Sequence, residues 1–344
     1  MPQDAPSPLP ESALSRTAVA SWIAAVALLV LVLFVHLLPA LFAGLLVYEL
    51  VHLATPALSR HLSSDRAKVV VVAVLATVVV GAVAAATFAL IVFIQNDPDR
   101  PAVLLAQFAD MVLRAKATLP DWLADMLPGS PEELNQSLAD WARAHVADFE
   151  LAGRETGRAF VYAVLGMVVG GMVALEGEIG GLPLGPFARE LARRAANLGS
   201  AFRRVVFAQV RISLINTTFT ALYLGVLLPL FGVELPFRKT LVVVTFVAGL
   251  LPVLGNLISN GFIVIASLSH SGEVALASLA FLVVIHKLEY FLNARIIGRR
   301  INAHAWELLC AMLVMEATFG LPGVVAAPIY YCFLKDELAA RGLI

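Results

Sequence analysis

A row of polar side chains interrupts the apolar stretch 206–231. Five residues follow one another at steps of 4, 3, 1 and 3, and they are Gln209, Ser213, Asn216, Thr217 and Thr220. This spacing places all five on one face of a helix. In a membrane such a face must contact protein or water. The row therefore indicates either hydrogen bonds between packed helices or the polar wall of a permeation path, and both interpretations stay open.

A second group of residues combines ionisable side chains with a polar one in an apolar segment. His286, Glu289 and Asn293 are spaced by three and four residues in an apolar segment and share a helical face, whereas Lys287 points elsewhere. Ionisable groups at membrane depth usually mark ion pathways, proton relays or charge pairs. We interpret His286, Glu289 and Asn293 as candidates for ion coupling, together with Glu316 in a later apolar segment. Snorkelling to the interface is the alternative, chiefly for Lys287.

Helix-breaking residues stand in the middle of two apolar segments, 240–268 and 306–334. Each segment is long for one membrane span, which takes about 20 helical residues, and short for two. Broken helices in paired positions indicate a substrate site, so we predict a re-entrant hairpin in each segment. The turns of these hairpins are predicted at Pro252, Gly255, Gly320, Pro322 and Gly323. A proline-kinked, tilted span is the alternative.

Three further polar residues follow the first of these breaks. Asn256, Ser259 and Asn260 share a helical face just past Gly255. They are candidates to bind a polar solute together with backbone carbonyls that the break frees. They could instead satisfy the backbone of the hairpin itself; the sequence favours this second interpretation, and both stay open.

The elements that carry all of these residues are membrane helices. Of 344 residues, 60% are hydrophobic and 14% are charged, whereas soluble domains have about 25% charged residues. About eight apolar segments can be marked, and they are 18–38, 40–55, 69–95, 159–175, 206–231, 240–268, 274–293 and 306–334. The predicted fold class is therefore an all-α polytopic membrane protein with two broken or re-entrant helical hairpins.

Composition and motifs exclude several classes of function. The net charge of −1 offers no basic surplus for a nucleic-acid partner. Two cysteines, Cys310 and Cys332, lie in apolar stretches, so neither a disulfide framework nor a metal site on paired cysteines is expected. The sequence holds no nucleophile triad, phosphate loop or dinucleotide motif. We therefore expect no enzymatic activity, no cofactor and no metal.

The distribution of charge along the chain predicts its topology. The predicted parts are a disordered tail (1–17), three transmembrane helices (18–95), extracytoplasmic amphipathic helices (96–158), a transmembrane transport core (159–334) with a basic joint (177–205), and a cytoplasmic tail (335–344). The positive-inside rule places the N-terminus, the basic joint and the turn with Arg295, Gly298 and Arg299 in the cytoplasm. That placement of the turn requires segment 240–268 to be a hairpin.

Two stretches resemble the signatures of the autoinducer-2 exporter family of bacterial permeases. Residues 250–259, Leu-Leu-Pro-Val-Leu-Gly-Asn-Leu-Ile-Ser, are similar to the segment that opens the family's re-entrant helix. Residues 293–300 and 319–328 are similar to its Pro-Arg-Ile-Met-Gly turn and the glycine-rich stretch that follows. Ala294 stands where the family commonly has proline, and Asn293 stands where it often has glutamate. Ion coupling through that glutamate is therefore not carried over to this chain.

The resemblance implies a secondary transporter in the bacterial cytoplasmic membrane. It would export a small polar solute, such as the signalling molecule autoinducer-2, and assemble as a homo-oligomer, a pentamer. Its expected partners are the lipid bilayer, the solute, and H⁺ or Na⁺. Two alternatives stay open. One is a monovalent cation/proton antiporter that uses His286, Glu289 or Glu316, and the other is a membrane scaffold without transport, in which the polar residues only pack helices.

Overall fold

The computed structural model describes residues 16–60, 63–96, 107, 110–117, 119, 121–124, 130, 133, 136–137, 140, 143–176, 185–251, 254–296 and 304–343. Within these residues all regular structure is helical, as predicted. The main helices are α1 (Arg16–Phe34), α2 (Leu38–Leu58), α3 (Ser64–Asn96), α4 (Val146–Leu175), α5 (Pro186–Leu222), α6 (Arg238–Gly249), α7 (Leu254–Leu268), α8 (Gly272–Ile296), α9 (Ala305–Phe319) and α10 (Leu321–Ala339). A π-helix (Tyr223–Leu227) and a short turn (Leu228–Leu230) continue α5, and Asp121–Ala124 forms a single separate turn.

Five helical stretches in the described part of the chain are long and apolar enough to cross a membrane. They are Arg16–Phe34, Leu38–Leu58, Arg66–Ala85, Val146–Leu175 and Pro186–Leu230. Large apolar side chains such as Ile23, Val80 and Phe160 are exposed on their outer faces. A soluble protein rarely exposes apolar surface on this scale, whereas lipid-facing helices require it. The fold is therefore that of an all-α polytopic membrane protein.

Segment 240–268 folds into a hairpin of two helices, α6 and α7. Leu241, near the start of α6, lies in one core cluster with Ile263 and Ala266 of α7, which requires the chain to fold back on itself. The two backbones come very close at the turn, because a Cβ atom on Gly255 would lie 1.9 Å from the carbonyl oxygen of Ala248. Pro252, predicted in this turn, lies outside the described residues.

Segment 306–334 is also a helical hairpin, formed by α9 and α10. The chain reverses at Gly320, whose φ of +63° favours glycine, and Pro322 occupies the first turn of α10, where its missing N–H is not needed. Lys335 Nζ, near the end of α10, donates to Glu307 Oε2 in the first turn of α9 at 2.6 Å. The two helices are therefore antiparallel. Gly323 is buried where they meet.

The fourth and fifth spans are longer than the apolar segments that predicted them. α4 begins at Val146, inside the predicted insertion 96–158, and α5 begins at Pro186, inside the basic joint 177–205. With 37 residues, α5 is about 55 Å long, far more than a bilayer core requires. Its first half packs against α1 and α10, and its second half packs against α6. One continuous helix thus carries both the basic residues of the joint and the polar row.

Candidate functional site

The polar row of α5, defined by Gln209, Ser213, Asn216, Thr217 and Thr220, lies against the turn of the α6–α7 hairpin. Gln209 Nε2 donates to the carbonyl of Gly249 at 2.7 Å, and Ser213 Oγ donates to the carbonyl of Phe246 at 2.6 Å. Both acceptors belong to the last turn of α6, where carbonyls lack partners from their own helix. Two members of the row therefore satisfy backbone groups that the break in 240–268 frees.

The next residue of the row connects α5 to the second helix of the hairpin. Asn216 Nδ2 donates to Asn256 Oδ1 at 3.1 Å. Ser259, buried one turn further along α7, donates to the carbonyl of Asn256 at 3.4 Å, and Asn260 is half-buried. Two groups of residues that were predicted separately therefore meet at one place, where the polar row faces the start of α7.

The last two residues of the row, Thr217 and Thr220, have buried hydroxyls without a partner. Neither Oγ1 atom makes a hydrogen bond within the part of the chain that the structure describes, and Thr220 is only 1% exposed. A buried polar atom left unpaired costs about 1–3 kcal/mol. Groups of this kind are rare in native proteins, and backbone strain, a catalytic role or a bound water or ion can account for them. The two hydroxyls are therefore available to a molecule that enters this site.

All the protein groups that form these contacts are neutral. They are the three primary amides of Gln209, Asn216 and Asn256, the hydroxyl of Ser213, and the carbonyls at the end of α6. Helix carbonyl ends carry a partial negative charge, which favours hydrogen-bond donors. Such a surface can exchange hydrogen bonds with a polar solute or with water. Among the described residues that form these contacts, no side chain carries a charge that would bind an ion strongly.

A comparison with protein families identifies the architecture. The model of the AI-2E family transporters matches residues 18–340, from the start of α1 to the end of α10. The chain belongs to the AI-2E transporter family. It is therefore a permease-type membrane transporter. The comparison with curated proteins gives no match.

The residues predicted for ion coupling in this transporter lie on α8 and α9. His286, Glu289 and Asn293 belong to the single helix α8, and the side chain of His286 is exposed. Glu316 is exposed on α9. Neither His286 nor Glu316 is buried beside the polar row of α5. The side chains of Glu289 and Asn293 lie outside the described part of the structure, as do the side chain of Arg295 and the residues Gly298 and Arg299.

A charged cluster that sequence analysis did not identify lies in the first half of α5. Arg194 forms a salt bridge with Glu337 of α10, and both side chains are only 2% exposed. The Arg194 guanidinium also donates to Ser21 Oγ and to the carbonyl of Ala18 in α1, each at 3.0 Å. Asn197 Nδ2 donates to Glu337 Oε1 at 2.5 Å. The cluster of Arg194, Asn197, Ser21 and Glu337 thus joins three helices of the transporter.

The last turn of α10 brings three consecutive charges to three different partners. Lys335 bonds to Glu307 of α9, Asp336 to Arg204 of α5, and Glu337 to Arg194 of α5. α10 thus contributes one cation and two anions, and its neighbours contribute one anion and two cations. Successive residues of a helix point about 100° apart, so one turn can reach several neighbours. α10 continues to Ala339, past the predicted start of a tail at residue 335. The signal in the sequence was this run of charges of both signs directly after an apolar segment.

Proposed function

We propose that this transporter exports a small polar solute across the bacterial cytoplasmic membrane along the surface between α5 and the α6–α7 hairpin. The observation that carries the proposal is the pair of buried, unpaired hydroxyls of Thr217 and Thr220 beside the Asn216–Asn256 contact. A signalling molecule such as autoinducer-2 is the solute class that the family suggests. We further propose that the transporter works as a homo-oligomer, as its resemblance to family members implies.

The neutral character of this surface suits passage of a solute. A neutral hydrogen bond contributes only about 0.5–1.5 kcal/mol to stability, because the groups can bond to water or solute instead. The Asn216–Asn256 contact joins α5 to α7, so a solute that replaces it also separates the two helices locally. Binding that is favourable but weak allows the solute to leave as well as to enter.

The charges of α5 support the proposed orientation. Arg189 and Arg193 are exposed near its start, and Arg203 is half exposed. Basic residues next to membrane helices favour the cytoplasmic side. Ala18 and Ser21, near the beginning of α1, contact the same part of α5. These contacts support a cytoplasmic N-terminus, and export is then movement from the charged end of α5 toward its polar row and beyond.

The test is flux through purified protein in liposomes. The probes are autoinducer-2 and a series of neutral solutes, glycerol, erythritol and ribose, followed by light scattering after osmotic shock. Leucine at both Asn216 and Thr220 keeps side-chain bulk and helix propensity while removing polarity, so we expect flux to fall about tenfold or more while assembly stays near normal. Thr218→Leu is the matched control, because Thr218 is exposed and bonds only within its own helix. A double variant that loses its assembly in detergent without a separable loss of flux would indicate helix packing instead.

The same liposomes distinguish solute export from cation/proton antiport. A trapped pH-sensitive dye reports proton movement when a Na⁺ or K⁺ gradient is applied. Export of a neutral solute predicts flux of the probe solute without a response to the cation gradient, whereas antiport predicts the reverse. For the antiport mechanism, Glu289→Gln removes a carboxyl that we predict to take part in ion coupling, and it should abolish the pH dependence of the flux. A membrane scaffold predicts no flux in either assay.

A further inference from the structure

The polar face of α5 continues past Thr220 into the π-helix. From Gln209, the steps to Ser213, Asn216, Thr220 and Tyr223 are 4, 3, 4 and 3, which keeps one helical face. Tyr223 is buried, and its backbone carbonyl accepts a bond from the N–H of residue 228, the i−5 pattern of a π-helix. π-helical turns are rare and often occur at functional sites.

The Tyr223 hydroxyl enters a chain of three buried hydroxyls. Tyr223 Oη and Ser278 Oγ are 2.9 Å apart, and Ser278 Oγ and Ser267 Oγ are 2.7 Å apart. Ser267 Oγ donates to the carbonyl of Ile263 at 2.8 Å, so it accepts from Ser278, and Ser278 in turn accepts from Tyr223. The chain joins the π-helix to α7 and α8. Both serines are fully buried.

An aromatic stack holds this tyrosine in place. The rings of Tyr223 and Phe281 of α8 are parallel within 8°, and their centroids are 3.9 Å apart. The stack fixes the Tyr223 hydroxyl between α7 and α8, where it meets Ser278. Passage of a solute along the row past this point requires the buried Tyr223 ring to leave this stack.

We propose that Tyr223, Ser267 and Ser278 form a second polar station of the transport path, with Tyr223 as its gate. This inference rests on the proposed function and extends it. Three bonded hydroxyls alone are typical of helix packing. The independent observation that favours a transport path is the buried hydroxyl of Thr220. It has no hydrogen-bond partner among the described residues, and it lies one turn before Tyr223 on the same face.

The extended face also has the length that a path requires. From Gln209 to Tyr223 a helix rises about 21 Å, compared with about 16 Å from Gln209 to Thr220. The hydrocarbon core of a bilayer is about 30 Å thick. With the second station included, the polar side chains of this single face cover about two thirds of that thickness. A solute that leaves Thr220 thus finds its next hydrogen-bonding groups one turn away.

Reaction of single cysteines with a charged, water-soluble thiosulfonate tests where water enters. Cys310 and Cys332 are replaced by alanine, and single cysteines are introduced at Thr220, at Ser278 and, as a control, at the exposed neighbour Leu279. Because the reagent attacks the thiolate, which forms in water and not in lipid, the Thr220→Cys and Ser278→Cys variants should react about tenfold faster than Leu279→Cys. Reaction at Thr220→Cys but not at Ser278→Cys would overturn the second station alone. Reaction at neither position would contradict the proposed function as well.

A second measurement separates gating from packing. Tyr223→Phe keeps the ring stack and removes only the hydroxyl, so we expect flux of glycerol and autoinducer-2 to change several-fold while the melting temperature falls by only a few degrees. Ser269→Ala is the control, since Ser269 lies just past the end of α7 and its hydroxyl donates to the carbonyl of Ala266, three residues earlier, at 2.7 Å. A lower melting temperature with unchanged flux in Tyr223→Phe would assign the hydroxyl chain to packing and overturn the gate.

Discussion

The two halves of α5 bury polar groups in opposite ways. The first half buries a full charge, Arg194, and satisfies it with Glu337 and with oxygens of α1. The second half buries only neutral groups, bonds some of them to the α6–α7 hairpin, and leaves Thr217 and Thr220 unpaired. A charge buried in a medium of low dielectric constant needs an opposite charge and hydrogen bonds, whereas a neutral group can exchange one hydrogen-bond partner for another. The comparison indicates that one half anchors the bundle and the other half can rearrange.

The position of each half along α5 explains the difference. The charged half begins among exposed basic residues such as Arg189 and Arg193. The neutral half lies in the apolar stretch 206–231, where a charge at the centre of a membrane helix would cost several kcal/mol, and its one charged side chain, Arg211, is exposed. The same helix is therefore anchored by charges at one end, while its other end makes the neutral contacts that we propose a solute replaces.

The largest expected effect is on the anchoring half. Arg194→Leu leaves Glu337 buried without its cation, so we expect a loss of about 3–5 kcal/mol in stability, seen as poor yield and a much lower melting temperature. Replacing both Arg194 and Glu337 by leucine should recover most of that loss. Arg193→Leu is the control, since its pair with Glu190 is exposed at the arginine. Equal melting temperatures for Arg194→Leu and Arg193→Leu would show that the cluster is not an anchor.

The next largest effect concerns the turn of the α6–α7 hairpin, where the two backbones approach closely beside the polar row. A Cβ at residue 255 would overlap the carbonyl oxygen of Ala248, so Gly255→Ala must open the hairpin turn. We expect a loss of about 1–3 kcal/mol and of flux, because the Asn216–Asn256 contact depends on that turn. Gly261→Ala in the same helix meets no atom within 4 Å and should be neutral or stabilise by up to about 1 kcal/mol. Similar behaviour of the two variants would contradict the packing of α6 against α7.

A smaller effect sharpens the role of the unpaired hydroxyls. Thr220→Val removes a buried hydroxyl that has no hydrogen-bond partner in the part of the chain that the structure describes, and it keeps the shape of the side chain. We expect the free energy of unfolding to be unchanged or to rise by up to about 1 kcal/mol, with a matching melting temperature, and we expect a lower flux of the probe solutes. Thr245→Val is the comparison, because the Thr245 hydroxyl bonds to the carbonyl of Leu241 and its loss should destabilise. A Thr220→Val variant with full flux would remove Thr220 from the path.

The smallest effect on stability is expected from a salt bridge between two exposed side chains. Arg154 and Glu150 form a salt bridge on α4 at 2.6 Å, but both side chains are largely exposed. Water and salt screen such pairs, so Arg154→Gln should change stability by no more than about 0.5 kcal/mol and leave flux unaltered. The melting temperature at low and high salt is the measurement. A loss approaching that of Arg194→Leu would mean that burial is not what distinguishes the charged cluster.

Much of the fold could be predicted from the sequence, and part of the site as well. The spacing of the polar row, the breaks at Gly255 and Gly320, and the helical hairpins all follow from local rules of helix geometry and backbone freedom. The Arg194–Glu337 pair could not be predicted, because its members lie 143 residues apart and each is unremarkable in its own segment. Tyr223 was missed for a related reason, since an aromatic residue in an apolar helix usually belongs to the core. The roles of His286 and Glu289 stay predictions.

The sequence by itself determined which residues share a helical face, because the 3.6-residue repeat depends only on neighbours along the chain. It also determined that the chain spans membranes, because that follows from the length and polarity of its segments. Only the tertiary structure decided what covers each face. Gln209 meets Gly249 from 40 residues away, and Ser213 meets the same turn, because two helices that no local rule connects come within hydrogen-bonding distance. That same packing leaves the hydroxyls of Thr217 and Thr220 without a hydrogen-bond partner among the described residues, and these are the groups that we propose a solute contacts.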